Sequence, residues 1–564
     1  MYVLGLSVFV AGSSACLLKD GEILCLAAEE RFTRRKNESG FPYNSISFCL
    51  DYAGISINDV GCVGFYVRDY VDNSFLGARG WIDLNCDDSG CCFSMSDSSV
   101  AGILRDELRY RGAVERVGYC PAHAYGSFLS SGFDDAVFVL VDDAVDRYCT
   151  VLGRGSDGNV AFLKGLSSPD SLALLYRAVS VYLGFPDKGD EYKVMGLSSY
   201  GKTVYSDKFD KVVCVSCDGS YVVDMSFFAR KGMEYVVSSK FVELFGPKRM
   251  PGKPVSRRHK DIAASLQMCV EDALYALICH AHDVVASHNL CISGEFALNC
   301  LANGRVLKRS PFKNVFVLPD PGGGGLSIGA AFYVHRAVLG QKNVVPFLSP
   351  FLGPSYSCDY VKSFLARGGI KYQEFGSEVE LVGVVARLIF DGGVVGWFEG
   401  RMEWGPRALG GRSILANPCT SSMKEILNAD VKHREVFRPF APVVCEDDAC
   451  SFFVIDDAVT SLTEFMLAVC PVRDDKKAMI PAVVHVDGSA RVQVIRRELN
   501  PLYYDLVKEF GKLSGVPVLI NTSFNDSGEP VVCTPEDAYR CMVKTDIDYL
   551  VIGRFLIKKE DVLK

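Results

Sequence analysis

The sequence predicts an α/β protein of two domains. Its 564 residues exceed the usual length of a single domain. Short apolar segments that end at glycine or aspartate alternate with longer segments of helical spacing. Three prolines and two flanking glycines punctuate the stretch 341–354, which is typical of a linker. We therefore expect one domain at 1–345 and a second at 355–564.

Composition and charge exclude several classes of partner. Hydrophobic residues make up 49% of the chain and charged residues 23%, as in ordinary globular proteins. The net charge is −8 without long charged runs, which argues against nucleic acid or an anionic membrane as a partner. The 22 cysteines stand mostly alone in apolar segments, and Cys214-x-x-Cys217 has no second pair, so a reducing, cytoplasmic setting is expected. No apolar run reaches the length of a membrane span, and the N-terminus lacks the basic start of a signal peptide.

The N-terminal segment predicts a strand, a tight turn and a second strand. Apolar residues at 3–10 and 15–17 flank a small-residue turn, and Asp20-Gly21 predicts a hairpin turn into a third strand at 23–28. This arrangement suits the phosphate loop of an actin-like ATPase fold.

Further elements follow from apolar periodicity and turn residues. Asp142 ends a predicted buried strand, a position where α/β folds place ligand chemistry. Gly294 and the run Gly322–Gly325 each precede a helical segment, as in nucleotide-binding turns. Strands are also predicted at 290–293, 315–318, 394–398, 490–493 and 518–520. Helices are predicted at 262–286, from 294, at 326–337, 381–390 and 503–514, and from Pro535 with Thr534 as N-cap. Residues 68–100 read as a variable loop.

The segment 396–438 concentrates positive charge among apolar residues. A predicted strand enters a Gly/Pro-rich turn that carries three arginines, and Lys432, Arg434 and Arg438 follow. Arginine forks match carboxylate and phosphate geometry, and glycines let backbone N–H groups approach a ligand. Cations at this density repel one another unless an anion lies among them, so we expect an anion site. A solvated basic loop is the alternative.

Several strings in the chain resemble one enzyme family. GRMEWGPRALGGRSIL at 400–415 and VKHREVFRPFAPVV at 431–444 closely resemble the family of nodulation-factor and antibiotic-tailoring O-carbamoyltransferases. The string EERFTRRK follows the first hairpin as it does in that family, GDEYKVMGL resembles the family's GDEGKVMGL, and GEFALN at 294–299 resembles its GGVALN. The resemblance implies an N-terminal actin-like ATPase domain and a C-terminal YrdC-like domain that makes carbamoyl-adenylate from ATP and carbamoyl phosphate.

The resemblance also implies which residues act. Asp142 falls on a family position for ligand chemistry and is expected to be catalytic, with a turn-forming role as the alternative. The string at 294–299 lies on the adenosine side, which implicates Gly294 and Asn299. Arg412 and Arg434 match the family as well; Arg412 is expected to bind substrate or nucleotide, and a structural role is the alternative for both. The residues on family positions for carbamoyl phosphate or adenylate are Arg407, Lys432, Arg438, Arg491, Asn521 and Ser523. The implied partners are carbamoyl phosphate, ATP with magnesium, and a hydroxyl-bearing small molecule or sugar, in a chain compatible with a homodimer.

The N-terminal half departs from the family pattern at three places. Ala11 and Gly12 stand where the family has a His-Asp pair. The family's H-x-x-x-H metal motif reads Tyr119 to His123, and the metal-binding aspartate position falls within Gly323-Gly324. One histidine is too few for the usual site, so no tightly bound iron is expected. The alternatives to a complete O-carbamoyltransferase are a half-enzyme that forms only carbamoyl-adenylate and a non-catalytic nucleotide-binding protein.

Overall fold

The structure is a computed structural model. It describes residues 1–67, 80–84, 95–143, 147–231, 234–435 and 437–562, without the side chains of 95–98. Most of the variable loop expected at 68–100 lies outside these residues.

The first sheet is built on the N-terminal hairpin. β1, β2 and β3 are antiparallel neighbours, and β4 and β6 extend the sheet in parallel beyond β1, giving the order β3-β2-β1-β4-β6. The predicted hairpin turn is confirmed, with Gly21 at φ +87°. The strands are β1 Tyr2–Val8, β2 Ser14–Lys19, β3 Glu22–Ala28, β4 Val60–Val67 and β6 Ala113–Arg116.

The second sheet repeats this topology. β7, β8 and β9 are antiparallel, and β14 and β15 follow in parallel beyond β7, giving the order β15-β14-β7-β8-β9-β5. The strands are β5 Ile82–Asp83, β7 Asp135–Val141, β8 Tyr148–Ser156, β9 Asn159–Ser167, β14 Asn289–Ser293 and β15 Asn314–Phe316. Two sheets of one topology form the actin-like ATPase fold that the sequence predicted.

Two helices pack between these sheets at very short distance. They are α4 Tyr119–Ser131 and α11 Leu326–Tyr333. A methyl group on Gly329 of α11 would lie 1.7 Å from the carbonyl oxygen of Ala122 on α4. A methyl group on Gly5 of β1 would lie 2.0 Å from the carbonyl oxygen of Ser327. Glycine is therefore required where these elements cross.

The C-terminal half contains a mixed sheet of eight strands, and the predicted α/β class is confirmed. Its order is β16-β25-β24-β17-β18-β23-β19-β22. Helices α13 Glu378–Phe390 and α17 Pro501–Ser514 share one apolar core with this sheet. The strands are β16 Gln373–Glu374, β17 Val395–Phe398, β18 Arg412–Ala416, β19 Ala441–Cys445, β22 Gln493–Ile495, β23 Val518–Ser523, β24 Tyr549–Ile552 and β25 Phe555–Lys558.

Shorter elements complete the described structure. Two-stranded ladders are β10 Val213–Val215 with β11 Tyr221–Val223, β12 Phe228–Lys231 with β13 Glu234–Val237, and β20 Cys470–Pro471 with β21 Ser489–Ala490. The other α-helices are α1 Glu30–Thr33, α2 Tyr43–Ala53, α3 Met95–Gly102, α5 Leu172–Tyr182, α6 Glu191–Ser198, α7 Ser206–Phe209, α8 Ser239–Phe245, α9 Arg257–Val284, α10 Cys300–Val306, α12 Cys358–Arg367, α14 Met423–Ile426, α15 Glu446–Phe452, α16 Thr460–Thr463, α18 Pro535–Lys544 and α19 Lys559–Val562. Turns of 3₁₀-helix are Ile57–Asp59, Met225–Phe227, Glu295–Leu298, Leu307–Arg309, Gly323–Gly325 and Asp457–Val459, and π-turns are Ile103–Glu107, Val334–Val338 and Leu427–Val431.

The long helix α9 is the one described helix apolar enough to cross a membrane, and 67% of its apolar window is buried inside the protein. It packs against α6 and α10. A core helix satisfies the same criteria of length and composition.

Three local predictions are corrected by the structure. Arg491 is not in a strand: it lies between β21 and β22. Asn521 and Ser523 lie inside β23, because their backbone pairs with β18, rather than in a loop after it. After Gly294 the chain forms a 3₁₀ turn, and the helix begins only at Cys300. The predicted N-cap at Thr534 is confirmed, since its hydroxyl accepts from the Asp537 N–H at 3.1 Å.

Arginine side chains of each half of the chain donate hydrogen bonds to backbone carbonyl oxygens of the other half. Arg34 donates to the carbonyl oxygen of Val531 at 2.6 Å, and Arg31 to that of Gly405 at 2.9 Å. In the reverse direction, Arg401 donates to the carbonyl oxygen of Leu24 at 3.1 Å. The domain boundary expected between 345 and 355 remains a prediction.

Candidate active site

A cavity of about 520 Å³ is lined by both halves of the chain. The N-terminal half contributes the end of the first hairpin, helix α6 and the glycine loop before α11. The C-terminal half contributes the turn between β17 and β18, the segment around Lys432 and the end of β23. The predicted site residues that line it are Asn299, Arg407, Lys432, Arg438, Arg491, Asn521 and Ser523.

Five cationic side chains meet in the C-terminal part of the cavity: Arg407, Lys432, Arg434, Arg438 and Arg491. Burial, followed by the charges of neighbouring arginines, lowers the pKa of Arg407 and of Arg434 to about 9. Within the described part of the chain, Arg438 alone of the five forms an ion pair, with Glu435 at 3.6 Å. This excess of positive charge favours an anion in the cavity.

Lys432 lies at the centre of this basic wall and is only 4% exposed. Its Nζ donates to the backbone oxygen of Ser523 and, at 2.8 Å each, to the backbone and side-chain oxygens of Asn525. Burial, with Arg434 and Arg438, lowers the pKa of Lys432 to about 7. The ammonium is thus held in place by neutral oxygens, and its charge is left uncompensated.

Strand β23 brings neutral polar groups to the same wall. The Asn521 side chain donates to the carbonyl oxygen of Ala408 at 3.0 Å and to Gln493 at 2.6 Å. These two contacts fix the amide beside the arginine-bearing turn. The Ser523 hydroxyl donates to the Asn525 side chain at 2.7 Å.

Arg412 does not line the cavity, contrary to the prediction that it binds substrate or nucleotide. It is fully buried, and its guanidinium donates to the carbonyl oxygens of Glu399 and Pro354 at 3.0 Å each and to that of Gly411 at 2.9 Å. Its charge also lies 3.6 Å from the centre of the Phe398 ring. Arg412 therefore stabilises the turn that presents Arg407.

The N-terminal part of the cavity is rich in glycine and carries carboxyl groups together with basic side chains such as Lys36, Lys188 and Lys193. Glu295 and Asp320 line it beside the loop 322–324, together with Ala11 and Gly12. Burial raises the pKa of Asp320 to about 6. Desolvation of the Glu295 carboxyl group, followed by the nearby charges of Asp142 and Asp143, raises the pKa of Glu295 to about 8, although the residue is exposed to the cavity. The part of the cavity around the carboxyl groups of Glu295 and Asp320 is called the acidic end, opposite the cationic end on the C-terminal side.

Gly294 and Asn299 have local structural contacts. Gly294 does not line the cavity; at φ +96° it lies so close to β7 that a methyl group would be 2.2 Å from the carbonyl oxygen of Val141. The Asn299 side chain accepts from the Ala302 N–H at 3.0 Å, which caps α10, and from Gln267 at 3.1 Å. Asn299 keeps a place on the cavity wall, and Gly294 acts through the backbone alone.

Tyr119, His123 and Asp142 form a buried cluster beneath the acidic end and do not line the cavity. The Tyr119 hydroxyl donates to Asp142 at 2.5 Å, and the Asp142 carboxylate also accepts from the Glu295 N–H at 3.1 Å. Burial, with Asp143, raises the pKa of Asp142 to about 7, and burial lowers that of His123 to about 3. Asp142 was predicted to be catalytic, but the structure places it behind the wall, where it contacts the backbone of Glu295.

Comparison with known proteins places this chain in a family. The family model described as carbamoyltransferase N-terminus matches residues 98–332, and the model described as carbamoyltransferase C-terminus matches 386–559. Nodulation protein NolNO of Sinorhizobium fredii is 35% identical over 98% of this chain and 80% of its own length. The chain belongs to the carbamoyltransferase family. An uncharacterized Synechocystis protein, sll1178, is also 35% identical to this carbamoyltransferase, over 99% of the chain and 97% of its own length.

Solved structures resemble the carbamoyltransferase only distantly. Component A of (R)-2-hydroxyglutaryl-CoA dehydratase from Acidaminococcus fermentans is 15% identical, with a TM-score of 0.35 over 60% of this chain and 99% of its own. HypF of T. kodakarensis is 12% identical, with a TM-score of 0.33 over 60% of this chain and 48% of its own. These scores are too low to support an inference about the site.

The residues of this carbamoyltransferase do not fit the metal that the family resemblance implies. Tyr119 already donates to Asp142, and His123 Nδ1 lies 2.7 Å from the hydroxyl of Ser293, which leaves one histidine nitrogen for a metal. Gly323 has no side chain to offer. Among the residues that the structure describes, no three His, Cys, Asp or Glu side chains could hold a metal ion together.

Sequence reasoning missed Glu295 and Asp320 as cavity residues of the carbamoyltransferase. Both lie next to glycines that the sequence had singled out as nucleotide turns. A signal was available at 294–299, where GEFALN has glutamate at the second glycine of GGVALN.

Proposed function

We propose that this carbamoyltransferase converts ATP and carbamoyl phosphate into carbamoyl-adenylate and transfers the carbamoyl group to a hydroxyl of a small molecule or sugar. The observation that carries the proposal is the cationic end of the cavity. Arg407, Lys432, Arg434 and Arg491 have no carboxylate partner among the described residues, although burial makes the charges of Arg407, Lys432 and Arg434 costly. Such an arrangement supports binding of polyanions.

Formation of carbamoyl-adenylate takes two balanced steps. Water releases carbamate and inorganic phosphate from carbamoyl phosphate. A carbamate oxygen then attacks the α-phosphorus of ATP, and pyrophosphate departs with the electron pair of the broken P–O bond. Negative charge accumulates on phosphate oxygens throughout, so fixed cations lower the barrier by positioning and electrostatic stabilisation.

Three of the five cationic residues have a stated place in this scheme. Lys432 is fixed by Asn525 and Ser523 and presents a point charge to a phosphoryl group. Arg407 and Arg491, on separate segments, offer planar forks to two phosphate oxygens. Asn521 and Ser523 offer neutral groups to the carbamoyl end. ATP binds as its magnesium complex. The enzyme acts in the cytoplasm. Its two domains meet between residues 345 and 355.

A pyrophosphate assay tests the proposal. We expect release of pyrophosphate only when both ATP and carbamoyl phosphate are present, and consumption of the adenylate when a hydroxyl acceptor is added. Pyrophosphate without transfer to any hydroxyl would indicate a half-enzyme. No pyrophosphate with both substrates would contradict the proposal and favour a nucleotide-binding protein without catalysis.

A further inference from the structure

The acidic end of the cavity has lost the side chains that the family pattern places there. By the family resemblance, Ala11 and Gly12 stand where a histidine and an aspartate are expected, and a second aspartate position falls within Gly323-Gly324. The backbones have closed together at this point: a methyl group on Gly323 would lie 2.2 Å from the carbonyl oxygen of Ala11, and one on Gly12 would lie 3.0 Å from the backbone nitrogen of Gly324. A side chain at Gly12 or Gly323 therefore requires movement of the backbone.

Glu295 is a carboxylate that lies beside Ala11, Gly12 and Gly323 and that the family string does not have. It stands at the second glycine of the GGVALN string and lines the cavity. Its Cγ lies 2.8 Å from the place where a methyl group on Gly322 would be, and Asp320 Oδ1 lies 3.7 Å from the same place. The two carboxyl groups therefore flank one glycine of the loop.

The backbone of Glu295 is fixed from behind. Its N–H donates to Asp142 at 3.1 Å, and Tyr119 donates to the same carboxylate oxygen at 2.5 Å. The preceding Gly294 packs against the carbonyl oxygen of Val141. Asp142 and Tyr119 thus act as positioning residues, and a buried hydrogen-bonded pair occupies the place of a metal centre.

We propose that Glu295 is the general base of the transfer step, accepting the proton of the acceptor hydroxyl; the proposal rests on the proposed function above. The hydroxyl O–H bond breaks with its proton moving to the Glu295 carboxylate. The hydroxyl oxygen forms a bond to the carbamoyl carbon, and the bond from that carbon to the adenylate oxygen breaks. AMP departs with the electron pair, and Glu295 later releases the proton to solvent.

The charges around Glu295 suit this role. Desolvation, followed by the charges of Asp142 and Asp143 on one segment and of Glu191 on another, raises its pKa to about 8, while Lys188 opposes them. A base whose pKa is near the working pH combines adequate basicity with adequate deprotonation. Proton transfer by a positioned side chain contributes about 10²–10⁴-fold to a rate.

The test measures a single turnover of carbamoyl-adenylate by the full chain. Water serves as the hydroxyl acceptor, which needs a base. Hydroxylamine serves as the comparison nucleophile, because it attacks as a neutral amine. We expect Glu295→Gln to retain pyrophosphate release and hydroxylamine capture but to slow AMP release to water by about 10²-fold or more. Glu295→Gly, which restores the family residue, should show the same loss and regain AMP release with added formate. Glu243→Gln, an exposed glutamate on α8, is the control.

The outcomes separate the two proposals. AMP release by Glu295→Gln at the wild-type rate would overturn the base role. So would loss of pyrophosphate release in Glu295→Gln beside an active wild type, because the residue would then act in the first step. Absence of pyrophosphate in the wild type itself would overturn the proposed function, and the base role with it. A wild-type rate that rises with pH towards about 8, with a flat profile in Glu295→Gln, would support the proposal.

Discussion

At the residue scale, the cationic end of the cavity carries charges that lower the stability of the protein without a ligand. Arg407 and Arg491 repel each other, and burial adds to the cost. Arg412, in the same stretch of sequence, has carbonyl partners on all sides. Functional sites commonly carry such unfavourable charge, which a bound substrate then compensates.

A matched pair of substitutions tests this contrast. Arg407→Met should leave the melting temperature unchanged or raised, because it removes a buried, repelled charge, while pyrophosphate release falls. Arg412→Met should lower stability by about 3–5 kcal/mol, since several buried carbonyl groups lose a charged donor. Thermal unfolding of both variants measures the difference, and equal melting temperatures would contradict the assignment of Arg412 to structure.

Lys432 gives a kinetic prediction. A hydrogen bond to a charged group contributes about 1.5–3 kcal/mol. At about 1.4 kcal/mol per decade, Lys432→Ala should cut pyrophosphate release by roughly tenfold to a hundredfold or more. An unchanged rate in a variant that melts at the wild-type temperature would place Lys432 outside the reaction.

The pH dependence of anion binding follows from the same residue. Burial lowers the pKa of Lys432 from 10.5 to about 7, so the free protein loses this charge as pH rises through 7. Affinity for carbamoyl phosphate should therefore weaken as pH rises above 7, and binding should take up a proton. In the folded state fewer protons are bound between pH 7 and 10.5 than in the unfolded chain, so Lys432 makes stability rise across that window. Calorimetry in buffers of different ionisation enthalpy measures the proton uptake.

At the element scale, the sequence predicted the strands, helices and turns whose formation depends on local periodicity. The first hairpin, the strand before Asp142, the long helix α9 and the cap at Thr534 all follow from turn residues or apolar spacing. Strand β23 was predicted too short because Asn521 and Ser523 are polar, yet pairing with β18 extends the strand through both. Arg491 was placed in a strand because its neighbours are apolar, but the ladder is interrupted there.

The crossing of α4 and α11 gives a stability prediction. Gly329→Ala places a methyl group 1.7 Å from the carbonyl oxygen of Ala122, so the helices must separate. We expect a loss of about 1–3 kcal/mol, as for other overpacked cores. Gly383→Ala in α13 is the control: nothing lies within 4 Å of its methyl position, and helix propensity should stabilise it by about 0.5–1 kcal/mol. Chemical denaturation compares the two, and equal stabilities would show that the crossing is looser than described.

At the scale of the whole molecule, residues far apart in sequence share one cavity. Resemblance to the family located the cationic residues, because their types and spacing are retained in short strings. It could not locate Glu295 or explain Asp142, since their roles depend on which strands are neighbours and on which side chains are missing nearby. The closed backbone at Ala11 and Gly323 becomes visible only once the first hairpin and the glycine loop are seen in contact.

The identity of the nucleotide product tests the central claim most directly. ATP labelled at the α-phosphate is mixed with excess enzyme and carbamoyl phosphate, quenched within one turnover, and its products are separated. Chemistry at the α-phosphorus predicts carbamoyl-adenylate and AMP with an equal amount of pyrophosphate. Labelled ADP in place of labelled AMP and carbamoyl-adenylate, as expected for transfer from the terminal phosphate, would contradict the account.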